Sequence, residues 1–166
     1  MEKPAVEPFN TARAMDANAI YASDPQSPTR RAIFREVYGD NYPEEVAPNS
    51  YITMPLLRRM AQSLAVGSTS TIIDVGCGCA GPSLWVARET GAALVGIDLA
   101  SMAMEHAARR AQEFGVADRA RFEIGDCTAL RFAAHTFDAA MSVDVLWMVP
   151  DRPAAFPEVA RIVKPG

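Results

Sequence analysis

Short apolar runs alternate with segments of helical spacing over the second half of the chain. The runs that predict strands are 71–75, 93–98, 121–126 and 137–147, and the segments that predict helices are 82–90, 101–114 and 151–163. Strands that alternate with helices run parallel and are joined by right-handed crossovers, which place helices on both faces of an open sheet. The pattern therefore predicts an α/β fold with a doubly wound, mostly parallel sheet.

The N-terminal part of the chain, up to residue 50, shows a different pattern. Six of the twelve prolines lie there. Proline removes a backbone donor and clashes with the preceding turn, so one long helix is excluded. Short helices are predicted around 11–21 and 29–38. We therefore divide the chain into a helical or irregular extension, residues 1–50, and an α/β domain, residues 51–166.

Composition excludes several classes of function. The net charge of −4 over 166 residues argues against nucleic-acid binding, and the basic pairs Arg30–Arg31, Arg58–Arg59 and Arg109–Arg110 are predicted to lie on solvated helix faces. No apolar run approaches the roughly 20 residues of a membrane-spanning helix. Three cysteines without a disulfide-scaffold spacing favour a reducing compartment. We expect a cytoplasmic protein with no nucleic-acid or membrane partner.

A glycine-rich loop follows the first predicted strand directly. Gly76, Gly78 and Gly81 have the spacing of a dinucleotide-binding loop, and Asp98 closes the second strand where an acid would take ribose hydroxyls. Ligands of open α/β sheets bind at the carboxyl ends of the strands. The loop alone leaves a nicotinamide or flavin cofactor open.

Further acids at the same edge change this interpretation. Asp74 stands two residues before the first glycine, where a carboxylate would repel a pyrophosphate but suits an ammonium group. Asp126 closes the third strand and would accept from an exocyclic amine, and Asp144 would add a further acid at the fourth strand. An edge rich in carboxylates favours a cationic, phosphate-free nucleoside, and S-adenosylmethionine is such a ligand.

Five segments of the chain resemble the class I S-adenosylmethionine-dependent methyltransferases of the small-molecule type. They read IIDVGCGCAG, LVGIDLA, FEIGDCTAL, FDAAMSVDVL and RIVKPG, in the order and at the spacing of that family. The resemblance implies a Rossmann-like fold and methyl transfer from S-adenosylmethionine to an O or N atom of a small molecule. It also implies that residues 1–50 form a lid over the acceptor side.

The resemblance further implies a set of cofactor-binding residues at the carboxyl ends of the strands. They are Asp74, Gly76, Cys77, Gly78, Asp98, Leu99, Asp126, Cys127 and Ser142. In such a site Asp98 would take both ribose hydroxyls, Leu99 would pack against adenine, and Asp126 would accept from the adenine amino group. The glycine-rich loop and the end of the fourth strand would surround the methionine portion of the cofactor.

A metal site is not expected. Cys77, Cys79 and Cys127 would converge at the strand ends, but Cys-x-Cys without a nearby histidine is not a zinc-ligand spacing. Small, semi-buried loop residues are the better interpretation of these cysteines.

The identity of a general base is left open. Many relatives carry a histidine a few residues after the fourth strand, where this chain has Trp147 and Met148. His135, in the loop before that strand, is the remaining candidate. For the acceptor pocket we expect aromatic and apolar side chains from the extension and from this segment: Tyr21, Tyr38, Tyr42, Trp147 and Met148.

The relatives continue beyond RIVKPG into further strands of the sheet. We therefore expect a sheet that is incomplete after the fourth strand and its helix, with a missing C-terminal segment or a second copy of the chain covering the exposed edge. Two alternative functions stay open: a NAD(P)- or FAD-dependent oxidoreductase that uses the glycine loop, and a non-catalytic S-adenosylmethionine-binding module.

Overall fold

A parallel four-stranded sheet forms the centre of the protein. The computed structural model describes residues 17–21 and 27–166. The strands are β1 (Thr71–Val75), β2 (Ala93–Asp98), β3 (Ala120–Ile124) and β4 (Ala139–Met141), in the order β3-β2-β1-β4. The α-helices are α1 (Pro28–Tyr38), α2 (Met54–Leu64), α3 (Gly81–Thr90), α4 (Ser101–Glu113) and α5 (Arg152–Ile162). The predicted doubly wound α/β fold is confirmed.

The part of the chain that the structure describes also contains three short 3-10 helices: Ala17–Tyr21, Gly39–Asn41 and Leu146–Met148. The helix predicted around 11–21 lies outside the described residues except for its last five positions. The division of the chain at residue 50 stays a prediction. No helix within the described ranges is both long and apolar enough to cross a membrane.

The core has two layers, one on each face of the sheet. Successive residues of a strand point to opposite faces. Ile72 accordingly packs with Leu57 of α2 and Leu84 of α3, whereas Ile73 packs with Phe137 and with Ile162 of α5. These six side chains are fully buried. The central position of β1 therefore depends on helices from both sides.

The fourth strand is much shorter than the predicted 137–147. Ser142 Oγ donates to the carbonyl oxygen of Val75 at 2.8 Å, and Asp144 has a left-handed backbone with φ 53°. This turn takes the chain out of the sheet after Met141. The prediction of a long fourth strand is wrong because a run of apolar residues contains no information about a turn of this kind. That a further segment or a second copy covers the outer edge of β4 stays a prediction.

Parallel pairing brings the carboxyl ends of the strands to one edge. Asp74 is in register with Gly96, and Asp98 with Ile124. The loop after β1 and the ends of β2 and β3 are therefore neighbours, and the site is built at this edge.

Two adjacent leucines of α2 test the core assignment. Leu57 is fully buried and Leu56 is 51% exposed. Leu57→Ala should lower the free energy of unfolding by about 2–5 kcal/mol. Leu56→Ala should change it by about 0.5 kcal/mol or less. Urea denaturation of both variants measures the difference, and equal effects would contradict the assignment.

Candidate functional site

Two adjoining cavities open at the carboxyl edge of the sheet. The loop cavity, of about 330 Å³, lies against Asp74, the segment 76–82 and the aromatic side chains of the extension. The strand-edge cavity, of about 510 Å³, lies against Asp98, Leu99 and the segment 125–128. Five residues line both cavities: Tyr21, Gly76, Val145, Trp147 and Met148. The two cavities therefore form one continuous site.

The glycine loop is held by its own backbone. The N–H groups of Gly76 and Cys77 both donate to the carbonyl oxygen of Ile97 at 2.9 Å. Ala80 N–H donates to the carbonyl oxygen of Cys77 at 2.8 Å. Gly76 has φ 73°, and a Cβ there would collide with the Val145 side chain. Only glycine allows both this backbone and this close approach.

Asp98 connects the loop to the end of β2. Its Oδ2 accepts from Gly78 N–H at 2.9 Å, and its Oδ1 accepts from Ala100 N–H at 3.0 Å. A carboxylate oxygen has two lone pairs, so each oxygen can accept one more hydrogen bond on the cavity side. Asp98 can therefore bind a pair of hydroxyl groups without losing its contacts to the loop.

Asp74 is the only fully buried carboxylate among the described residues. It is 2% exposed, and its Oδ1 has no hydrogen-bond partner within the described part of the chain. Burial raises the pKa of Asp74 to about 7, with Asp98 adding to the rise and Ser83 opposing it. A buried carboxylate without a partner is costly. A cationic donor from a ligand in the loop cavity would remove this cost.

The remaining predicted cofactor residues differ in position. Leu99, Asp126 and Cys127 line the strand-edge cavity as expected. Leu99 is 56% exposed and thus presents apolar surface to a ligand. Asp126 Oδ1 accepts from the backbone N–H of Thr128 at 2.8 Å, which stabilises the turn. Ser142 lines neither described cavity, since its hydroxyl donates to Val75.

The structure brings three of the five predicted acceptor-pocket residues to the site. Tyr21, Trp147 and Met148 line both cavities. Tyr38 and Tyr42 line neither one. Their rings stack on Phe34 at centroid distances of 5.9 and 6.2 Å. They support Phe34, which does line the loop cavity.

His135 does not reach the site. Its backbone N–H donates to the carbonyl oxygen of Arg161, and its ring Nδ1 lies 3.1 Å from the carbonyl oxygen of Val163. It precedes the amino end of β4, whereas both cavities open at the carboxyl ends of the strands. His135 is therefore not positioned to act as a general base, because the sheet separates it from the cavities.

Arg110 belongs to the site although it was expected on a solvated face. It is 5% exposed and donates to the carbonyl oxygens of Cys79, at 3.2 Å, and Val46. Burial lowers its pKa. Arg110 thus joins the glycine loop to the extension. The basic pair gave no signal of this, because the two carbonyls come from distant segments.

The cysteines at this edge are neutral thiols. Burial raises the pKa of Cys79 to about 11 and that of Cys77 well above its usual value. All three cysteines are free. Across 17–21 and 27–166, no cluster of three or more His, Cys, Asp or Glu has the arrangement to hold a metal ion.

Comparison with known proteins identifies the family. The sequence profile of the methyltransferase domain family matches residues 72–166. The methyltransferase GfsG of Streptomyces halstedii is 30% identical over 139 residues, which cover 82% of this chain and 50% of that protein. Phosphoethanolamine N-methyltransferase 1 of Triticum aestivum is 29% identical over 133 residues, 80% of this chain and 25% of that one.

A solved structure agrees with this fold. The S-adenosylmethionine-dependent methyltransferase of Geobacter sulfurreducens, solved with S-adenosyl-L-homocysteine, superposes with a TM-score of 0.61 at 24% identity, over 85% of this chain and 53% of that one. The chain belongs to the methyltransferase domain family, and the expected class I S-adenosylmethionine-dependent type is confirmed. It spans about half the length of GfsG and a quarter of the wheat protein.

The buried carboxylate predicts a pH dependence of stability. The pKa of Asp74 is about 7 in the folded protein, against 3.8 for an unperturbed aspartate. The folded state therefore binds more protons in this range, so stability is lost as the pH rises towards and through 7. Between about pH 5 and about pH 8 the loss should be on the order of 2–3 kcal/mol.

Asp74→Asn removes the titrating group and should remove this part of the pH dependence. Urea denaturation of wild type and variant at both pH values measures the change, with Asp118→Asn, an exposed carboxylate, as the matched control. An Asp74→Asn variant that loses as much stability with rising pH as the wild type would contradict the assignment.

Proposed function

We propose that this site binds S-adenosylmethionine and serves methyl transfer to an O or N atom of a small-molecule acceptor. The observation that carries the proposal is the fully buried carboxylate of Asp74 in the loop cavity, whose Oδ1 has no hydrogen-bond partner among the described residues. A cationic donor would stabilise the ionised form of this carboxylate, and the amino group of S-adenosylmethionine supplies one. Family membership supports the same cofactor.

The residues present fit the rest of this molecule. The methionine portion would occupy the loop cavity beside Asp74, and the adenosine portion the strand-edge cavity. There Asp98 would accept from the ribose hydroxyls, Leu99 would cover the adenine ring, and Asp126 would accept from its amino group. When bound, the cofactor supplies an electrophilic methyl group on a positively charged sulfur.

The protein's own contribution to the reaction is placement and charge. Tyr21 and Trp147 lie where the two cavities meet, and aromatic faces stabilise a nearby cation. Burial and the Asp98 carboxylate raise the pKa of Tyr21, which keeps its phenol neutral. Alignment of the reacting atoms and exclusion of water can supply much of the rate acceleration for such a displacement.

The backbone of the loop argues against a dinucleotide. A pyrophosphate site needs free N–H groups. Here those of Gly76 and Cys77 donate to Ile97, and that of Gly78 donates to Asp98. With these three amides already paired and the Asp74 carboxylate beside them, this part of the loop is unsuited to phosphate. The oxidoreductase alternative loses its main support.

A non-catalytic cofactor-binding module is the second candidate. Both histidines of the chain lie in the described residues, and neither lines either cavity. Saturable cofactor binding without turnover over a broad acceptor panel would favour this alternative. The three free thiols support our proposal that the protein acts in the reducing cytoplasm.

Calorimetric titration tests the proposed cofactor. S-adenosylmethionine and S-adenosylhomocysteine should bind and NADH should not. Asp98→Ala should weaken binding by roughly 10- to 100-fold, since a lost charged hydrogen-bond acceptor costs about 1–3 kcal/mol. Asp118→Ala, at an exposed position, is the matched control.

Circular dichroism establishes that the Asp98→Ala variant is folded before it is titrated. Binding of NADH alone, or unchanged affinity in the folded Asp98→Ala variant, would overturn the proposal.

A further inference from the structure

The acceptor side of the loop cavity is an apolar wall. We define it by five apolar or aromatic side chains among those that line this cavity outside the glycine loop: Phe34, Tyr51, Val143, Trp147 and Met148. Tyr51 and Trp147 are 70% and 67% exposed. Large aromatic surfaces left open to solvent beside a cavity mark a binding face for an apolar partner.

The charges around this wall exclude an anion. Asp74 and Asp144 line the cavity, and Arg110 is the one cationic side chain that lines it within the described residues. The Arg110 guanidinium donates to the carbonyl oxygens of Cys79 and Val46. Its guanidinium is thus held at the glycine loop, so Asp144 is the charged side chain that a phosphate or carboxylate would face at the apolar wall.

Asp144 is fixed in place at the apolar wall. Its Oδ2 accepts from Tyr51 N–H at 2.6 Å, and its backbone carbonyl accepts from Trp147 Nε1 at 2.9 Å. The left-handed backbone of Asp144, with φ 53°, directs the chain into this arrangement. Its carboxylate retains lone pairs for a hydroxyl or amine hydrogen of a ligand.

We infer that the methyl acceptor is a neutral, predominantly apolar ring compound that presents a hydroxyl or amine hydrogen to Asp144 and packs against the apolar wall. The inference rests on the proposed function, because the reacting atom must meet the cofactor where the cavities join. Trp147 and Met148 line both cavities and therefore lie at this junction. Phosphorylated acceptors, of the kind named for the wheat relative, do not fit this wall.

Two matched probes separate charge from apolar contact. Equilibrium dialysis in the presence of saturating S-adenosylhomocysteine compares 2-naphthol with 2-naphthyl phosphate, and phosphoethanolamine serves as a small anionic probe. We expect 2-naphthol to bind about tenfold or more tighter than its phosphate, a difference of about 1.4 kcal/mol or more. Tighter binding of either phosphorylated probe, or no saturable binding of 2-naphthol, would overturn the inference.

Two variants test whether Trp147 and Asp144 determine the binding of these probes. Trp147→Ala should weaken 2-naphthol binding at least about fivefold, whereas Phe156→Ala, an aromatic residue 58% exposed on α5, should leave it unchanged. Asp144→Asn keeps an acceptor for Tyr51 N–H and tolerates the left-handed backbone. It should reduce the preference for 2-naphthol over its phosphate, since the repelling charge is gone.

An unaltered preference in Asp144→Asn, or unaltered 2-naphthol affinity in Trp147→Ala, would overturn the inference. The binding of S-adenosylhomocysteine, measured first on the same samples, separates the two proposals. If it fails to bind, the proposed function fails and this inference fails with it. If it binds and the probe preference is reversed, only the acceptor class is wrong.

Discussion

The Asp98 carboxylate holds the site together through two backbone hydrogen bonds. One oxygen accepts from Gly78 in the glycine loop, and the other from Ala100 at the start of α4. The loop is thereby fixed against the end of β2, where the N–H groups of Gly76 and Cys77 also donate to the carbonyl oxygen of Ile97. Because Asp74 and Asp98 bring carboxylate oxygens to this edge, it favours ligands that donate hydrogen bonds.

Contacts from the N-terminal extension complete the same edge. Arg110 donates hydrogen bonds to Val46 and to Cys79 of the glycine loop. Asp144, in the turn after β4, accepts a hydrogen bond from Tyr51 N–H. The end of the extension and the first residue of the α/β domain are thus attached to the two segments that shape the loop cavity. The two sides of the loop cavity are therefore built from the same backbone turns, and the lid role of residues 1–50 stays a prediction.

The fold and the acidic edge were predictable, and the fine structure of the pocket was not. Alternating apolar runs define parallel strands, and the carboxyl ends of parallel strands must meet, so Asp74 and Asp98 could be placed from sequence. The burial of Arg110 could not, because it depends on two carbonyls from segments far apart in the chain. The short β4 escaped prediction because the left-handed turn at Asp144 leaves no mark in the hydrophobic pattern.

The raised pKa of Asp74 has a consequence for the heat of ligand binding. Near neutral pH this carboxyl group is partly protonated in the free protein, since its pKa is about 7. A ligand whose ammonium group pairs with Asp74 favours the ionised form and so drives a proton into the buffer. The observed binding enthalpy will then vary with the ionisation enthalpy of the buffer, and the number of protons released reports directly on the occupancy of this one carboxylate.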